Sequence, residues 1–122
     1  MAKNIMIIDD SAAVRQVVAI TLRGAGYEVE EACDGRDALA KLSGQKVHLM
    51  ICDVNMPNMD GISFVKEVKQ SALYRYTPII MLTTESEEAK KQAGQAAGAK
   101  AWVVKPFQPT QMLAAVAKLC LP

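Results

Sequence analysis

The sequence predicts an α/β domain built on a five-stranded parallel sheet, and three observations carry that expectation. Short apolar runs of strand length alternate with longer segments whose apolar residues recur at helical spacing. The strongest runs are continuously apolar, as strands buried on both faces are. Four of the five runs also stop on a polar residue, at the strand end where open parallel sheets place their ligands.

Taken in order, Ile5-Met6-Ile7-Ile8 reads as a buried first strand ending at Asp9-Asp10. Ser11 is placed to cap a first helix, along which Val14, Val17, Val18, Leu22 and Ala25 form one apolar stripe until Gly24 and Gly26 end it. Residues 27–32, from Tyr27 through Val29 to Ala32, alternate in part and carry charge, as an exposed edge strand does. Asp34-Gly35 opens a second helix with Ala38, Leu39 and Leu42 inward, closed near Gly44.

The run from Val47 to Cys52 is a third strand that stops at Asp53, followed by the turn-rich Asn55-Met56-Pro57-Asn58-Met59-Asp60. A third helix over 61–70 turns Ile62, Phe64, Val65 and Val68 inward. Ile79-Ile80-Met81-Leu82 is a fourth strand ending at Thr83-Thr84, and Thr84 with Glu87 forms a capping-box pattern for a fourth helix. That helix offers only small apolar residues (Ala89, Ala93, Ala96, Ala97), so it is expected to be the least firmly held. Ala101-Trp102-Val103-Val104 makes a fifth strand ending at Lys105-Pro106, and from Pro109 a last helix carries Met112, Leu113, Val116 and Leu119. The strands at 5–8, 47–52 and 79–82 are the most apolar and are expected at the centre of the sheet.

Bulk properties narrow the function classes. The 122 residues suit one domain, with no repeat or linker. A net charge of +1 gives no electrostatic case for binding nucleic acid or a membrane surface, and no apolar run approaches the ~20 residues that span a bilayer. Cys33, Cys52 and Cys120 have no metal-ligand spacing; read as small buried hydrophobes, they point to a reducing compartment, hence the cytoplasm. His48, close before the third strand's end, reads as a structural histidine.

In a parallel sheet Asp9, Asp10, Asp53, Thr83 and Lys105 share one rim. Each alone has a plain reading as a strand terminator, a capping residue or a solvated charge. Jointly they describe an acidic pocket with a lysine beside it. Carboxylates gathered at one rim repel, so some must protonate or hold a cation. Two or three carboxylates with room for water and phosphate oxygens suit Mg²⁺ better than a closed Ca²⁺ cage. The chain has no HExxH, CxxC, G-x-S-x-G or Walker A sequence. A carboxylate beside a divalent cation can attack phosphorus to give an aspartyl phosphate, with Lys105 and the Thr83 hydroxyl holding the added oxygens.

The stretches Ile7-Ile8-Asp9-Asp10-Ser11, Asp53-Val54-Asn55-Met56-Pro57-Asn58-Met59-Asp60-Gly61, Pro78-Ile79-Ile80-Met81-Leu82-Thr83 and Val104-Lys105-Pro106-Phe107 closely resemble response-regulator receiver domains. The resemblance runs the whole chain with every motif in order. It is nearest to stand-alone chemotaxis receivers of the CheY type in the segments from Met81 to Ser86 and from Trp102 to Phe107. It implies a flavodoxin-like doubly wound (βα)5 fold with strand order 2-1-3-4-5 and five helices, a single receiver domain over 1–122 and no output domain. Asp53 is implied as phosphoacceptor from a phosphohistidine kinase of the CheA type. Asp10, Asp53 and the Asn55 backbone carbonyl are implied as Mg²⁺ ligands, with Asp9 acting through water. Thr83 is implied to move onto the phosphate, Lys105 to pair with it, and the Lys105–Pro106 bond to be cis.

Two positions depart from the family's pattern. Trp102 stands where a switch aromatic, more often Tyr or Phe, changes rotamer; its bulk opposes full burial, and a core aromatic of the fifth strand is the competing reading. Thr84 replaces a commonly small residue and narrows access to Asp53, while Asn55 and Glu85 flank the site where the family tunes phosphate lifetime.

The expected function is a monomeric phosphorylation switch, not an enzyme on a separate substrate, signalling through the fourth helix, fifth strand and last helix to a target such as a flagellar motor switch protein. A phosphate sink, or a regulator of another two-component pathway, is the alternative output. A small aspartyl-phosphate phosphatase is a second class, although Asn55 stands where such hydrolases need an acid. A receiver that only docks and is never phosphorylated is the third.

Overall fold

The computed structural model describes residues 3–83 and 95–120. Five strands, β1 (Asn4–Ile8), β2 (Glu28–Ala32), β3 (Leu49–Asp53), β4 (Ile79–Thr83) and β5 (Ala101–Val104), form one parallel sheet in the order β2-β1-β3-β4-β5. The three most apolar strands take the centre and the charged β2 takes an edge. Helices α1 (Ala12–Gly24), α2 (Gly35–Leu42) and α3 (Gly61–Lys69) and a last helix, Pro109–Leu119, connect and cover them. The helix expected from Thr84 lies outside the described residues as far as residue 94; residues 95–97 are helical.

Side-chain alternation along each strand builds two cores. Met6, Ile8, Met50, Cys52, Ile79 and Met81 face α2 and α3, where Ala38, Leu42, Phe64, Val65 and Val68 meet them. Ile5, Ile7, Leu49, Ile51, Ile80 and Leu82 face α1 and the last helix, where Val18, Leu22, Met112 and Val116 close the opposite layer. Both faces of the central strands are therefore dry, which is why those runs read as unbroken apolar stretches.

Caps set the helix starts. Ser11, Asp34 and Asp60 have extended backbones, and their side chains accept from the N–H of Val14, Asp37 and Ser63 in turn. Ser43 and Gly44 close α2 in the left-handed region.

Three expectations need correction. Val17 is 52% exposed, because α1 buries Val18, Ala19 and Leu22 and turns Val17 and Ile20 away from the sheet. Cys33 is exposed in the turn after β2, so only Cys52 and Cys120 behave as buried small hydrophobes. β3 begins at Leu49, two residues later than the apolar run suggests, leaving His48 just outside it. There its Nδ1 accepts from Asn4 N–H at 3.0 Å, and burial followed by the charges of Lys3 and Lys46 lowers its pKa, so it serves as a neutral structural group.

Gly61 fixes how closely α3 approaches the end of β3. A Cβ at that position would stand 2.0 Å from the Asp53 carbonyl oxygen, a backbone atom that cannot step aside. Gly61→Ala should therefore lose at least about 2 kcal/mol in urea unfolding, the scale of an overpacked core; a variant as stable as the wild type would contradict this packing.

Candidate functional site

Strand register assembles the site. Ile8 pairs with Cys52, so Asp9 and Asp53 leave the sheet side by side at the ends of β1 and β3. Asp53 pairs with Leu82 and Thr83 with Val104, which brings Thr83 and Lys105 to the same rim. Asp9 is 0% exposed, Asp53 5% and Thr83 4%, although all three are polar. Asp10 is exposed on the open side of the rim.

Lys105 ties the group together. Its Nζ lies 3.0 Å from Asp9 Oδ2 and 3.1 Å from Asp53 Oδ1. Asp53 Oδ1 also accepts from Val54 N–H at 2.9 Å, and Asp9 Oδ1 from Ser11 N–H at 2.9 Å. One carboxylate oxygen from each of Asp9, Asp10 and Asp53 lies within 4.8 Å of the others. Three carboxylates against one ammonium leave the pocket net negative, and hard oxygen donors at this spacing fit a small divalent cation.

The electrostatics agree with the geometry. Burial, followed by the charge of Asp9, pushes the pKa of Asp53 up to about 6, and the Lys105 contact only partly offsets this. Burial pulls the Lys105 ammonium down, but its hydrogen bonds to Asp9 and Asp53 outweigh it and raise its pKa. The lysine thus stays charged, and Asp53 is the group left with an unmet demand for positive charge.

The remaining expected residues fall into three groups. Asn55 is exposed in the loop that follows β3, with its backbone near the rim by chain connectivity, and the Lys105–Pro106 bond is cis. Trp102, on β5, is partly buried against the α2/α3 core, and its Nε1 is buried without a hydrogen-bond partner among the described residues. Thr84 and Glu85 lie outside the described residues.

Sequence reasoning missed two supports. Arg15 donates from Nη1 to the Asp9 carbonyl at 2.6 Å and from Nε to Glu31 at 3.3 Å, bracing the end of β1. Asp34, read only as a helix opener, accepts from Asn58 Nδ2 at 2.8 Å across two loops. Neither pairing has a local sequence signal.

The native state holds the Asp53 proton to higher pH than the unfolded chain, whose carboxyl titrates near 3.8. The Asp53 contribution to stability therefore falls as pH rises from about 4 to about 6. A rise of about two pH units corresponds to about 3 kcal/mol. Without divalent cations, Asp53→Asn should be more stable than the wild type near pH 7.5, by up to about 3 kcal/mol less the lost Lys105 contact, and the advantage should vanish near pH 4. Urea unfolding at both pH values measures it; an equal difference at the two would contradict the assignment.

Comparison with known proteins sharpens the picture. The family described as response regulator receiver domain matches residues 5–117. The solved structure of Vibrio cholerae chemotaxis protein CheY4 is 48% identical, with a TM-score of 0.92 over 98% of this chain and 99% of that one. Among curated proteins, the alkaline phosphatase synthesis transcriptional regulatory protein PhoP of Bacillus subtilis is 37% identical over 95% of this chain and 48% of its own length. Protein PilG of Pseudomonas aeruginosa is 32% identical over 93% of this chain and 84% of its own. The chain spans about half the length of PhoP and of the transcriptional regulators PhoB and ResD, which it also matches.

Proposed function

Because the chain belongs to the response regulator receiver family, the receiver modules of two-component systems, we propose that it is a Mg²⁺-dependent phosphorylation switch with Asp53 as phosphoacceptor. The observation that carries this is the buried Asp53 carboxylate, bonded to Lys105 and within one ion's reach of Asp9 and Asp10.

Asp10 and Asp53 would hold the ion directly with the Asn55 carbonyl. Asp9, whose two oxygens already accept from Ser11 and Lys105, acts through water. When bound, Mg²⁺ neutralises the carboxylates and the phosphoryl oxygens. Asp53 Oδ1 carries both the Val54 and Lys105 bonds, so we assign the attack to Oδ2. A bond forms from that oxygen to phosphorus as the phosphorus–nitrogen bond of a partner's phosphohistidine breaks, and the electron pair leaves with the imidazole. Lys105 follows the charge onto the phosphoryl group and Thr83 donates its hydroxyl to it. The module acts on its own aspartate rather than on a pool of substrate, so we regard it as a switch and not an enzyme.

A chemotaxis role, with a CheA-like donor and a target such as a motor switch protein, is supported by 48% identity to a chain titled chemotaxis protein CheY4. Its message leaves through the surface around β5 and the last helix. Service in another pathway is favoured instead by 37% identity to PhoP. We place the protein in the cytoplasm because Cys33, Cys52 and Cys120 are free thiols, and we take it to act as a monomer.

Incubation with acetyl phosphate and Mg²⁺ should add one phosphoryl group, labile to hydroxylamine and mapped to Asp53 by mass spectrometry. Chelation of the metal or Asp53→Asn should abolish it. Undiminished labelling of Asp53→Asn would contradict the nucleophile. Capture of partners with and without beryllofluoride then separates the two outputs: a motor switch protein retained only with the mimic supports chemotaxis.

A further inference from the structure

The loop of residues 54–60 carries Asn55, whose backbone carbonyl the Mg²⁺ reading requires. Backbone bonds hold its ends, from Val54 N–H to Leu82 O at 3.2 Å and from Gly61 N–H to Val54 O at 2.8 Å. Its middle is held from a different element. Asn58 Nδ2 donates to Asp34 Oδ2 at 2.8 Å, while Asp34 Oδ1 accepts from Asp37 N–H at 2.8 Å and caps α2. Asp34 is buried and has no freedom to follow the loop.

The next residue on each side repeats the contact. Met59 fills the space above Gly35, where a Cβ would stand 2.8 Å from the Met59 Cγ. Positions 34 and 35 thus grip 58 and 59. Asn58 sits at φ 67, in the left-handed region that Asn tolerates better than most residues, so the backbone as well as the side chain is committed to this shape. The anchor also connects to the pocket, because Asp9 N–H donates to Ala32 O at 3.1 Å, two residues before Asp34. One bonded path therefore runs from Asp9 through the start of α2 to the loop that bears Asn55.

We propose that Asp34 and Asn58 are positioning residues: their clasp fixes the Asn55 carbonyl relative to the Asp9, Asp10 and Asp53 carboxylates and so sets how tightly the pocket holds Mg²⁺. This rests on the reading of the pocket as a Mg²⁺ site. Neither residue touches the ion; they act through the loop.

The test compares Asp34→Asn, Asn58→Asp and the double swap. Asp34→Asn keeps a capping oxygen for α2 but replaces the charge-assisted bond with at best a neutral one, made through a flipped Asn58 amide. Asn58→Asp sets two carboxylates against each other. The double swap restores one donor facing one acceptor with the original total charge. Calorimetry with Mg²⁺ should show each single variant binding about three- to tenfold more weakly, the scale of one ordinary hydrogen bond. The double swap should return to within about twofold of wild type. In metal-free protein, hydrogen exchange at residues 54–60 should quicken in the single variants and recover in the swap, with the amides of β1 and β3 unchanged.

Single variants that bind like wild type would overturn the clasp. So would a swap as weak as its parents, or single variants that shift in opposite directions as their charge change alone dictates. Wild-type protein without saturable Mg²⁺ uptake would instead remove the metal reading, and the clasp's role with it, a result visible before any substitution is made.

Discussion

The contact of the Lys105 ammonium with the Asp9 and Asp53 carboxylates is the constraint on which the site depends. Two acids withdrawn from water at adjacent strand ends cannot both stay charged without a cation nearby. Lys105 supplies one, but it is a single positive charge among three carboxylates, and burial, followed by the charge of Asp9, still pushes the Asp53 pKa up to about 6. That residual negative charge would favour a divalent ion. In the proposed switch, the same half-buried lysine stands beside the atom to which a phosphoryl group would bring new charge. Stability and function thus pull on the same three side chains, and the fold tolerates the strain because the strands beneath are packed on both faces.

The sheet makes the arrangement possible through register. β1 and β3 are neighbours, and the pairing of Ile8 with Cys52 sets Asp9 and Asp53 abreast. Lys105 comes from β5, with β4 intervening, so a long flexible stem is needed to reach both acids. Gly61 lets α3 close against the Asp53 backbone. Rigid strands therefore fix the acids, while Asn55 and Lys105 come from the segments that follow β3 and β5.

Much of this was legible from sequence because the chemistry sits one residue beyond each apolar run. A parallel sheet converts that one-dimensional pattern into a shared rim, so the acidic residues and Lys105 follow from strand assignment alone. The central position of β1, β3 and β4 followed from their unbroken apolar character, and the edge position of β2 from its glutamates. Val17 misled because a five-member apolar stripe is wider than the strip α1 buries: the sheet keeps Val18 and Leu22 from it and adds Ala19. Cys33 misled because small thiols are usually buried, whereas this one lies in a turn where backbone geometry decides exposure. Pairings between distant loops, such as Asp34 with Asn58 or Arg15 with the Asp9 carbonyl, leave no periodic trace and had to be seen in three dimensions.

The central claim is that these strand ends hold one divalent ion at Asp53. A high-resolution crystal structure of the Mg²⁺-soaked protein tests it most directly. The account predicts a single octahedral ion with carboxylate oxygens of Asp10 and Asp53 and the Asn55 carbonyl at about 2.1 Å, and waters completing the shell. A pocket without an ion at saturating Mg²⁺, or an ion held elsewhere on the surface, would contradict it.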